Sequence, residues 1–397
     1  MVARKDHRFS GVRKTVLLAL LLPALWFVAQ VGGPNLRQSD FVRYWVAARL
    51  FLSGANPYSP SEVFRLEAQL HRGPRPLPLM FNPPTALSVI VPFGLLPFSI
   101  AVGLWFVLQF AIVFVSSFWL WRIYRGPERF RWLAIALPGI FLPAAVALLD
   151  CQMTPLLLLG FAAFLHFVDA RAYVRGGAAV ALLALKPQLC VPLGCVLLLW
   201  CLRERNWQLP AGFAAATAIL LFPVWSHPVL VSQYREIIPK IWDDAAPAWG
   251  GILRAAFGYQ HVWLQYLPVI PGVTWALLYW RKYLASWDWK QRLPMLLLVG
   301  FITAPYAWTY DEVILLPVFI SAAVYVLAKP GRRLASRTFG FYILINLAMF
   351  ILNAIGLRDV WFIWNAPVWL LAYIVLGQHA TMAGSASNPV RAKAVGP

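Results

Sequence analysis

The run FSIAVGLWFVLQFAIVFVSSFWLW, residues 98–121, decides the class of this protein. It contains no charged residue, and a helix needs about 20 apolar residues to cross a bilayer. Similar runs recur from Thr15 to Leu376, and the whole chain is 61% hydrophobic and 12% charged. Soluble domains average about 25% charged residues. The sequence therefore predicts an all-α polytopic integral membrane protein with about 11–13 transmembrane helices, rather than a soluble domain with an anchor.

The charged residues are strongly unbalanced in sign. The 397-residue chain holds 34 Lys and Arg against 15 Asp and Glu, a formal charge of +19. The basic residues cluster in short segments between the apolar runs, a pattern typical of membrane topology and of contact with anionic lipid. The charge therefore predicts membrane lipids as partners, and no nucleic acid. The four cysteines show no Cys/His ligand spacing, so we expect neither a disulfide framework nor a zinc site.

The apolar runs divide the chain into spans and two long polar loops. We expect an uncleaved first helix at Thr15–Val31 with a cytoplasmic N-terminus, then an extracytoplasmic loop over residues 34–80 with short interfacial helices at 40–52 and 61–70. A second polar extracytoplasmic loop covers residues 226–260. Residues 1–380 form one transmembrane domain, and residues 381–397 are predicted to be a disordered tail. Beyond 98–121, further spans are predicted at 132–149, 155–168, 177–201, 209–225, 262–280, 293–308, 312–327, 339–352 and 361–376.

The orientation of the first half is open on the sequence alone. If every apolar run crossed the membrane fully, Arg122–Arg131 would lie outside, against the tendency of basic loops to stay in the cytoplasm. The run Pro84–Leu96 is short enough to be a half-crossing. The run Gly177–Cys201 is interrupted by Lys186-Pro187. If it turns there as two half-length helices, the arginines on both sides of it fall inside.

Asp40 is the first acid after the first span and begins the aromatic-rich segment DFVRYW. A charged group at or in the membrane is a functional candidate, because its burial in lipid is costly. The same residue could instead cap the following helix or pair with Arg37 or Arg43, since aspartate is common at helix starts. A helix cap and a catalytic base are not exclusive, so both interpretations stay open.

Several further polar residues stand in or beside apolar runs. Lys186 precedes a proline that breaks its helix, and its ammonium group could snorkel, pair with an acid or bind a lipid phosphate. Gln152 lies at the end of a span and by itself indicates only a turn. Tyr310 and Asp311 stand at a helix start, where acids are ordinary because of the helix dipole. These residues alone leave several functions open.

Short motifs along the chain carry a resemblance to a known family. They are Ser39-Asp40-Phe41, Tyr44-Trp45-Val46-Ala47-Ala48-Arg49, Gly54-Ala55-Asn56-Pro57-Tyr58, Phe81-Asn82-Pro83-Pro84, Gln152-Met153-Thr154-Pro155, Leu185-Lys186-Pro187-Gln188 and Pro305-Tyr306-Ala307-Trp308-Thr309-Tyr310-Asp311. In order and spacing they resemble the bacterial integral-membrane mannosyltransferases of glycosyltransferase family 87, within the GT-C superfamily. The resemblance covers residues 10–330 approximately.

The resemblance implies a GT-C-type fold and the transfer of a sugar, typically mannose, from a polyprenyl-phosphate donor. The acceptor would be a lipid or glycan on the extracytoplasmic face of the inner membrane. Asp40 would be the general base, and one displacement would invert the anomeric carbon. No metal or other cofactor is required, although some GT-C relatives use a metal, which Asp40 and Asp311 could share here. The chain has no P-loop or nucleotide-binding glycine motif, which agrees with a lipid-carried donor. Donor-phosphate contacts are expected at Lys186, Arg37 and Arg254, and substrate contacts at Tyr44, Asn82, Gln152, Tyr310 and Asp311.

Two other classes of protein fit the same sequence. A transporter or flippase of lipid-linked substrates could use Lys186 and the broken helices at a midplane site. An inactive GT-C-like scaffold subunit would share the fold without the chemistry. The distinctive residues of the first loop argue against the transporter, and the position of Asp40 argues against the scaffold. A single outward-facing cavity around Asp40, Lys186 and Asn82 would favour the transferase.

Overall fold

The computed structural model describes residues 39–70, 79–238, 248–329, 332–357 and 359–386. The predicted first span, Thr15–Val31, lies outside this part of the chain, and so do Arg37 and residues 387–397 of the predicted tail. Throughout the described ranges the regular secondary structure is helical, with no strand. The fold class expected from the apolar runs, an all-α polytopic membrane protein, is confirmed.

The helices follow one another with short connections. The α-helices of the first half are α1 (Phe41–Leu52), α2 (Pro60–Ala68), α3 (Thr85–Gly94), α4 (Phe98–Ile123), α5 (Leu133–Ile140), α6 (Leu142–Leu149), α7 (Thr154–Asp169), α8 (Tyr173–Val180) and α9 (Val191–Glu204). Those of the second half are α10 (Gln208–Leu220), α11 (Phe222–Ser226), α12 (Leu230–Ile237), α13 (Trp249–Phe257), α14 (Val269–Tyr283), α15 (Trp289–Ile302), α16 (Leu316–Ala328), α17 (Arg332–Ala354) and α18 (Asn365–Ala386). Short 3₁₀ helices lie at Glu128–Phe130, Ala181–Leu185, Pro187–Leu189, Val262–Tyr266, Leu284–Ser286, Thr309–Leu315 and Asp359–Phe362.

Five helical stretches in the described part of the chain are long and apolar enough to cross a membrane, and the bent pair α5–α6 would make a sixth. The five are Phe98–Ile123, Val262–Ser286, Thr309–Ala328, Arg333–Ala354 and Val360–Gly377. The 11–13 spans expected from hydropathy refer to the whole chain, and one of them, Thr15–Val31, lies outside the described residues. In the described part the number is lower than expected because prolines and 3₁₀ turns divide several apolar runs into shorter helices. The run at residues 132–149, for example, bends by 62° between α5 and α6, each of which contains a proline.

Helix α3 is joined by hydrogen bonds at both ends to parts of the chain near Asp40 and Lys186. At its start, the Thr85 hydroxyl donates to the carbonyl of Ala184, two residues before Lys186. Just beyond its end, the carbonyl of Leu96 accepts a hydrogen bond from the indole of Trp45 on α1. Both ends of α3 therefore lie on the side of the molecule that carries Asp40. Helix α4 begins on that side, so its last turn and Arg122 lie at the opposite end.

The predicted break at Lys186-Pro187 is confirmed, since the chain there passes through two 3₁₀ helices between α8 and α9. The end of α7 contacts the first turn of α15, and the end of α9 contacts the segment just before it. The Asp169 carboxylate is 2.7 Å from Lys290 Nζ, and Arg203 donates to the carbonyl of Leu284. We call this region the basic end. It carries Arg122, Arg125, Arg171, Arg175, Arg203, Arg205, Arg281, Lys282 and Lys290.

Three helices that run towards the basic end, α4, α7 and α9, have the same kind of C-terminal cap. Arg125, Arg171 and Arg205 follow α4, α7 and α9 with φ of 58°, 55° and 50°. The next residue in each case donates its N–H to a carbonyl five residues back, as in Gly126 N to Trp121 O at 2.8 Å. Glycine is usual in this left-handed position, and an arginine there costs about 1 kcal/mol. Each arginine also places a cation at a helix C-terminus, where the dipole favours it.

Helices α8 and α10 approach closely at two glycines. A Cβ atom on Gly177 would lie 1.9 Å from the carbonyl oxygen of Leu209, and one on Gly212 would lie 1.9 Å from that of Val174. Because the obstructing atoms are backbone, neither helix can yield without moving as a whole. Small residues are common where membrane helices pack this closely.

We predict that Gly177→Val destabilises the protein by at least ~1–3 kcal/mol, the usual cost of overpacking. The measurement is the thermal unfolding midpoint of purified protein in detergent. The readout is the fraction of protein that remains monodisperse after heating to each temperature. Gly194→Val is the matched control, because a Cβ atom on Gly194 meets no atom within 4 Å. Equal midpoints for the two variants would show that α8 and α10 do not pack at these glycines.

Candidate functional site

Four parts of the chain that are distant in sequence meet at one polar cluster. Asp40 precedes α1, Gln152 lies in the turn between α6 and α7, Lys186 lies between two 3₁₀ helices, and Asp311 lies in the 3₁₀ helix Thr309–Leu315. Each polar residue stands where a helix begins or is interrupted, so its side chain can turn inward while the helices remain apolar. We call these four residues and Arg43 the polar cluster.

Gln152 is the centre of the polar cluster and is 1% exposed. Its Nε2 donates to Asp40 Oδ2 at 2.6 Å. Its Oε1 accepts from the Tyr44 hydroxyl at 3.0 Å and from Lys186 Nζ at 3.4 Å. An amide suits this position because it offers donors to the carboxylate on one side and an acceptor to two donors on the other. Gln152 therefore links the environment of Asp40 to that of Lys186.

Lys186 and Asp311 form a buried ion pair, with Nζ 2.6 Å from Oδ1 and side chains 7% and 0% exposed. The Thr154 hydroxyl donates to the same oxygen at 2.5 Å, and the backbone N–H of Trp308 donates to Oδ2 at 3.1 Å. The ammonium group also lies 4.7 Å from the centre of the Tyr310 ring. Of the roles that the sequence left open for Lys186, pairing with an acid is the one that the structure shows.

Asp40 pairs with Arg43, one helical turn further along α1. Arg43 Nη1 is 3.5 Å from Asp40 Oδ1, and the two side chains are 25% and 23% exposed respectively. Asp40 stands at the N-cap position of α1, but its side chain makes no capping hydrogen bond there. The arginine partner expected as one alternative is therefore present, and the capping contact is not. Asp40 keeps part of its carboxylate open, in contrast to Asp311.

The ionisation of the residues around Asp40 follows from burial and charge. Burial alone would lower the pKa of the Arg43 guanidinium, but the charge of Asp40 and of other nearby acidic groups raises it above its usual value. Burial raises the pKa of the Tyr44 hydroxyl well above its usual value, and Asp40 adds to the rise. Burial raises the pKa of the Cys151 thiol to about 12. Arg43 is therefore a permanent cation, Tyr44 is a neutral donor, and Cys151 is not a nucleophile near neutral pH.

Not every residue expected in the site joins the polar cluster. The main-chain carbonyl of Asn82 accepts a hydrogen bond from the Tyr58 hydroxyl at 3.3 Å, which is a contact outside the polar cluster. Arg254 is buried and donates to Gln265 Oε1 at 3.1 Å and to the carbonyl of Tyr259. These contacts hold Arg254 between α13 and the 3₁₀ helix Val262–Tyr266. Arg37 lies outside the described residues.

Sequence reasoning did not select Arg43 or Thr154 as site residues. Arg43 could have been found from its i, i+3 spacing to Asp40, which places both on one face of a helix. Thr154 stands two residues after Gln152 in the same turn. The hydrogen bond from the backbone N–H of Trp308 could not be predicted from the sequence, because every non-proline residue has a backbone N–H.

The polar cluster combines two carboxylates with two cations. Asp40 can accept a proton from a ligand, and Arg43 is open enough to reach an anionic group. Among the residues that the structure describes, no three His, Cys, Asp or Glu side chains come together as a metal site. A part-exposed carboxylate beside a part-exposed cation supports proton transfer next to a bound anion.

Comparison of the sequence with models of known protein families identifies a family. The sequence model of glycosyltransferase family 87 matches residues 81–352 of this chain. The matched stretch includes Gln152, Lys186 and Asp311 and begins after Asp40. No curated protein and no solved structure matches the chain significantly.

Proposed function

The chain belongs to glycosyltransferase family 87 and is a membrane glycosyltransferase, and on that premise we propose its donor, base and orientation. It moves a sugar, mannose in the leading proposal, from a polyprenyl-phosphate donor to a lipid or glycan acceptor. Asp40 is the general base, and the anomeric carbon is inverted. The reaction takes place on the extracytoplasmic face of the inner membrane.

The observation that supports Asp40 as the base is the unequal exposure of the two carboxylates in the polar cluster. The Asp40 side chain is 23% exposed, whereas that of Asp311 is 0% exposed and bonded through both oxygens. A general base must come within hydrogen-bonding distance of the proton that it accepts. Both oxygens of Asp40 also have partners, Gln152 and Arg43, but part of the carboxylate is open to a ligand, whereas Asp311 has no exposed surface.

The transfer then runs as one displacement. The acceptor hydroxyl passes its proton to Asp40 while its oxygen attacks the anomeric carbon, and the bond from that carbon to the phosphate oxygen breaks. The polyprenyl phosphate leaves with one more negative charge than it had in the donor. Arg43, whose side chain is 25% exposed, can stabilise this charge by direct contact, and the buried Lys186 adds a second positive charge from inside the polar cluster. Attack from the side opposite the leaving group inverts the anomeric carbon.

The distribution of charge supports the proposed orientation. Basic segments beside membrane spans preferentially stay in the cytoplasm, and the basic end is separated from the polar cluster by α7. This helix has 16 residues and is therefore about 24 Å long. With the basic end in the cytoplasm, the polar cluster lies near the opposite membrane surface.

We predict that purified protein in nanodiscs transfers labelled mannose from synthetic polyprenyl-phosphomannose to a membrane lipid extract, and none from GDP-mannose. The lipid-linked donor is expected because the chain lacks a nucleotide-binding motif. The product should show the anomeric configuration opposite to that of the donor. Polyprenyl-phosphoglucose is the matched control for the sugar. Transfer from GDP-mannose would contradict the proposed donor, and movement of intact donor between leaflets without sugar transfer would indicate a flippase.

A further inference from the structure

Gln152 contacts the proposed base but has almost no surface of its own. It is 1% exposed, so a substrate that binds at the polar cluster can reach Asp40 and Arg43 but not Gln152. The amide of Gln152 donates to Asp40 Oδ2 at 2.6 Å, a short distance of the kind found when one partner is charged. Any effect of Gln152 on the reaction therefore passes through its neighbours.

Two of these neighbours fix the direction of the Gln152 amide. Its Oε1 accepts from the Tyr44 hydroxyl at 3.0 Å and from Lys186 Nζ at 3.4 Å. A rotated amide would place its NH₂ group against the ammonium group, which has only donors. It would also place its oxygen against the Asp40 carboxylate, which has only acceptors when ionised. Both contacts would be repulsive, so Nε2 stays directed at Asp40.

The turn that carries Gln152 also holds the main chain at Asp40. Cys151 follows α6 with φ of 51°, and the N–H of Gln152 donates to the carbonyl of Ala147 at 2.9 Å. This is the Schellman cap of a helix C-terminus, formed here by a cysteine in place of the usual glycine. The N–H of Asp40 donates to the carbonyl of Asp150, in the same turn, at 3.1 Å. Asp40 is therefore attached to one turn through both its backbone and its carboxylate.

The two carboxylate oxygens of Asp40 are held with different strength. Oδ2 accepts the short hydrogen bond from Gln152. Oδ1 lies 3.5 Å from Arg43 Nη1, which is longer than the usual hydrogen-bond distance of about 2.7–3.2 Å. Oδ1 is therefore the oxygen that is freer to accept a proton, and it lies beside the cation proposed to meet the donor phosphate.

We propose that Gln152 is a positioning residue for the base: it holds Asp40 Oδ2, so that Oδ1 faces the acceptor hydroxyl. The proposal rests on the function proposed above and identifies the oxygen that receives the proton. The O–H bond of the acceptor breaks, and a bond between its hydrogen and Oδ1 forms as the acceptor oxygen attacks the anomeric carbon. Without the amide, the carboxylate can turn towards Arg43, which then competes for the oxygen that must accept the proton.

The first test is the rate of transfer from polyprenyl-phosphomannose in nanodiscs. In Gln152→Leu we expect kcat to fall by about 10²-fold, the effect of displacing a catalytic group by about 1 Å. The KM for the donor should stay within about threefold of the wild-type value, because no donor contact is lost. The matched control is Gln109→Leu, the same change at a side chain that is 0% exposed and whose amide has no hydrogen-bond partner in the described part of the chain. Its rates should be those of the wild type.

The same change is then made in the Asp40→Ala variant, which lacks both the base and the acceptor of the hydrogen bond. Gln152→Leu should have no further effect there, because residues that act as a unit are not additive. A further loss of about 10²-fold in that background would overturn the proposal. A KM that rises in Gln152→Leu while kcat is unchanged would overturn it too, since Gln152 would then be the substrate contact expected from the sequence.

Tyr44→Phe is a second variant for the case that Gln152→Leu misfolds. It keeps the buried ring and removes only the hydroxyl that donates to Oε1. We expect a smaller loss of kcat, about threefold to tenfold, because Lys186 still holds the amide. This loss should also disappear in Asp40→Ala. An unchanged kcat in Tyr44→Phe would overturn the proposal.

The last readout does not depend on transfer. Unfolding equilibria of Gln152→Leu, Asp40→Ala and the double variant give the coupling between the two side chains. We expect a coupling of about tenfold or more in the unfolding equilibrium constant, as for one hydrogen bond to a charged group. No coupling would overturn the proposal. Strong coupling in a protein that transfers no sugar would support Gln152 as the residue that orients Asp40 and would reject the transferase function.

Discussion

Asp40→Asn should lower the rate of sugar transfer by about 10²–10⁴-fold, the usual contribution of a general base. The asparagine keeps the size of the side chain but cannot accept the proton of the acceptor hydroxyl. The fold should survive, because Asp40 is partly exposed and makes no capping hydrogen bond to α1. Donor binding should also survive, since the change removes a negative charge from the side of the site that faces the phosphate. The measurement is the initial rate with polyprenyl-phosphomannose at saturating donor.

The matched control for this change is Asp169→Asn. Asp169 also pairs with a cation, Lys290 at 2.7 Å, but it lies at the basic end and is 55% exposed. We expect wild-type rates from this variant. If Asp40→Asn retained more than about a tenth of the wild-type rate, Asp40 would not be the base, since such an effect is below that of general base catalysis.

Asp311→Asn and Lys186→Met should each destabilise the protein by about 3–5 kcal/mol, because each leaves the other charge buried without its partner. Asp311 is 0% exposed and Lys186 is 7% exposed, so water cannot replace the missing partner. The double variant Lys186→Met with Asp311→Asn should recover much of this loss, because it buries no net charge. The measurement is reversible unfolding in mixed micelles, with the coupling energy taken from the double-mutant cycle.

The chain provides a control pair with the same chemistry and nearly the same distance. Lys290 and Asp169 lie 2.7 Å apart, but their side chains are 25% and 55% exposed. Exposed ion pairs contribute about 0–1 kcal/mol, so Lys290→Met should have a small effect. A loss of stability in Asp311→Asn no larger than that in Lys290→Met would show that the Lys186–Asp311 pair does not stabilise the fold.

The long uninterrupted helices could be predicted from hydropathy alone. The run at 98–121 predicts α4 within two residues of its end, because an uninterrupted apolar stretch can satisfy its backbone in lipid only as a helix. The half-length of α3 and the bend between α5 and α6 are less accessible. The position of α3 depends on contacts such as that of Thr85 with the carbonyl of Ala184, 99 residues away. The prolines of α5 and α6 mark the bend between them but do not give its angle of 62°. A hydropathy profile averages over neighbours in sequence and contains no information on such contacts.

The residues of the polar cluster were largely predictable, but their partners were not. Asp40, Gln152, Lys186 and Asp311 all stand at breaks in apolar sequence, where a polar side chain attracts attention. Lys186 and Asp311 are 125 residues apart, however, and Gln152 and Asp40 are 112 residues apart. One sequence cannot show which acid a buried lysine will meet. Glu312 was assigned no role because acids are ordinary at helix starts, and only its burial against Asn365 distinguishes it.

The most direct test of the account is a structure of the Asp40→Asn variant with polyprenyl-phosphomannose bound. The substitution removes the base and should trap the donor before transfer. The account predicts that the donor phosphate lies against Arg43, with the anomeric carbon on the side of the sugar facing residue 40. A donor bound with its sugar away from residue 40, or with its phosphate at another group of cations, would contradict the assignment of the polar cluster as the transfer site.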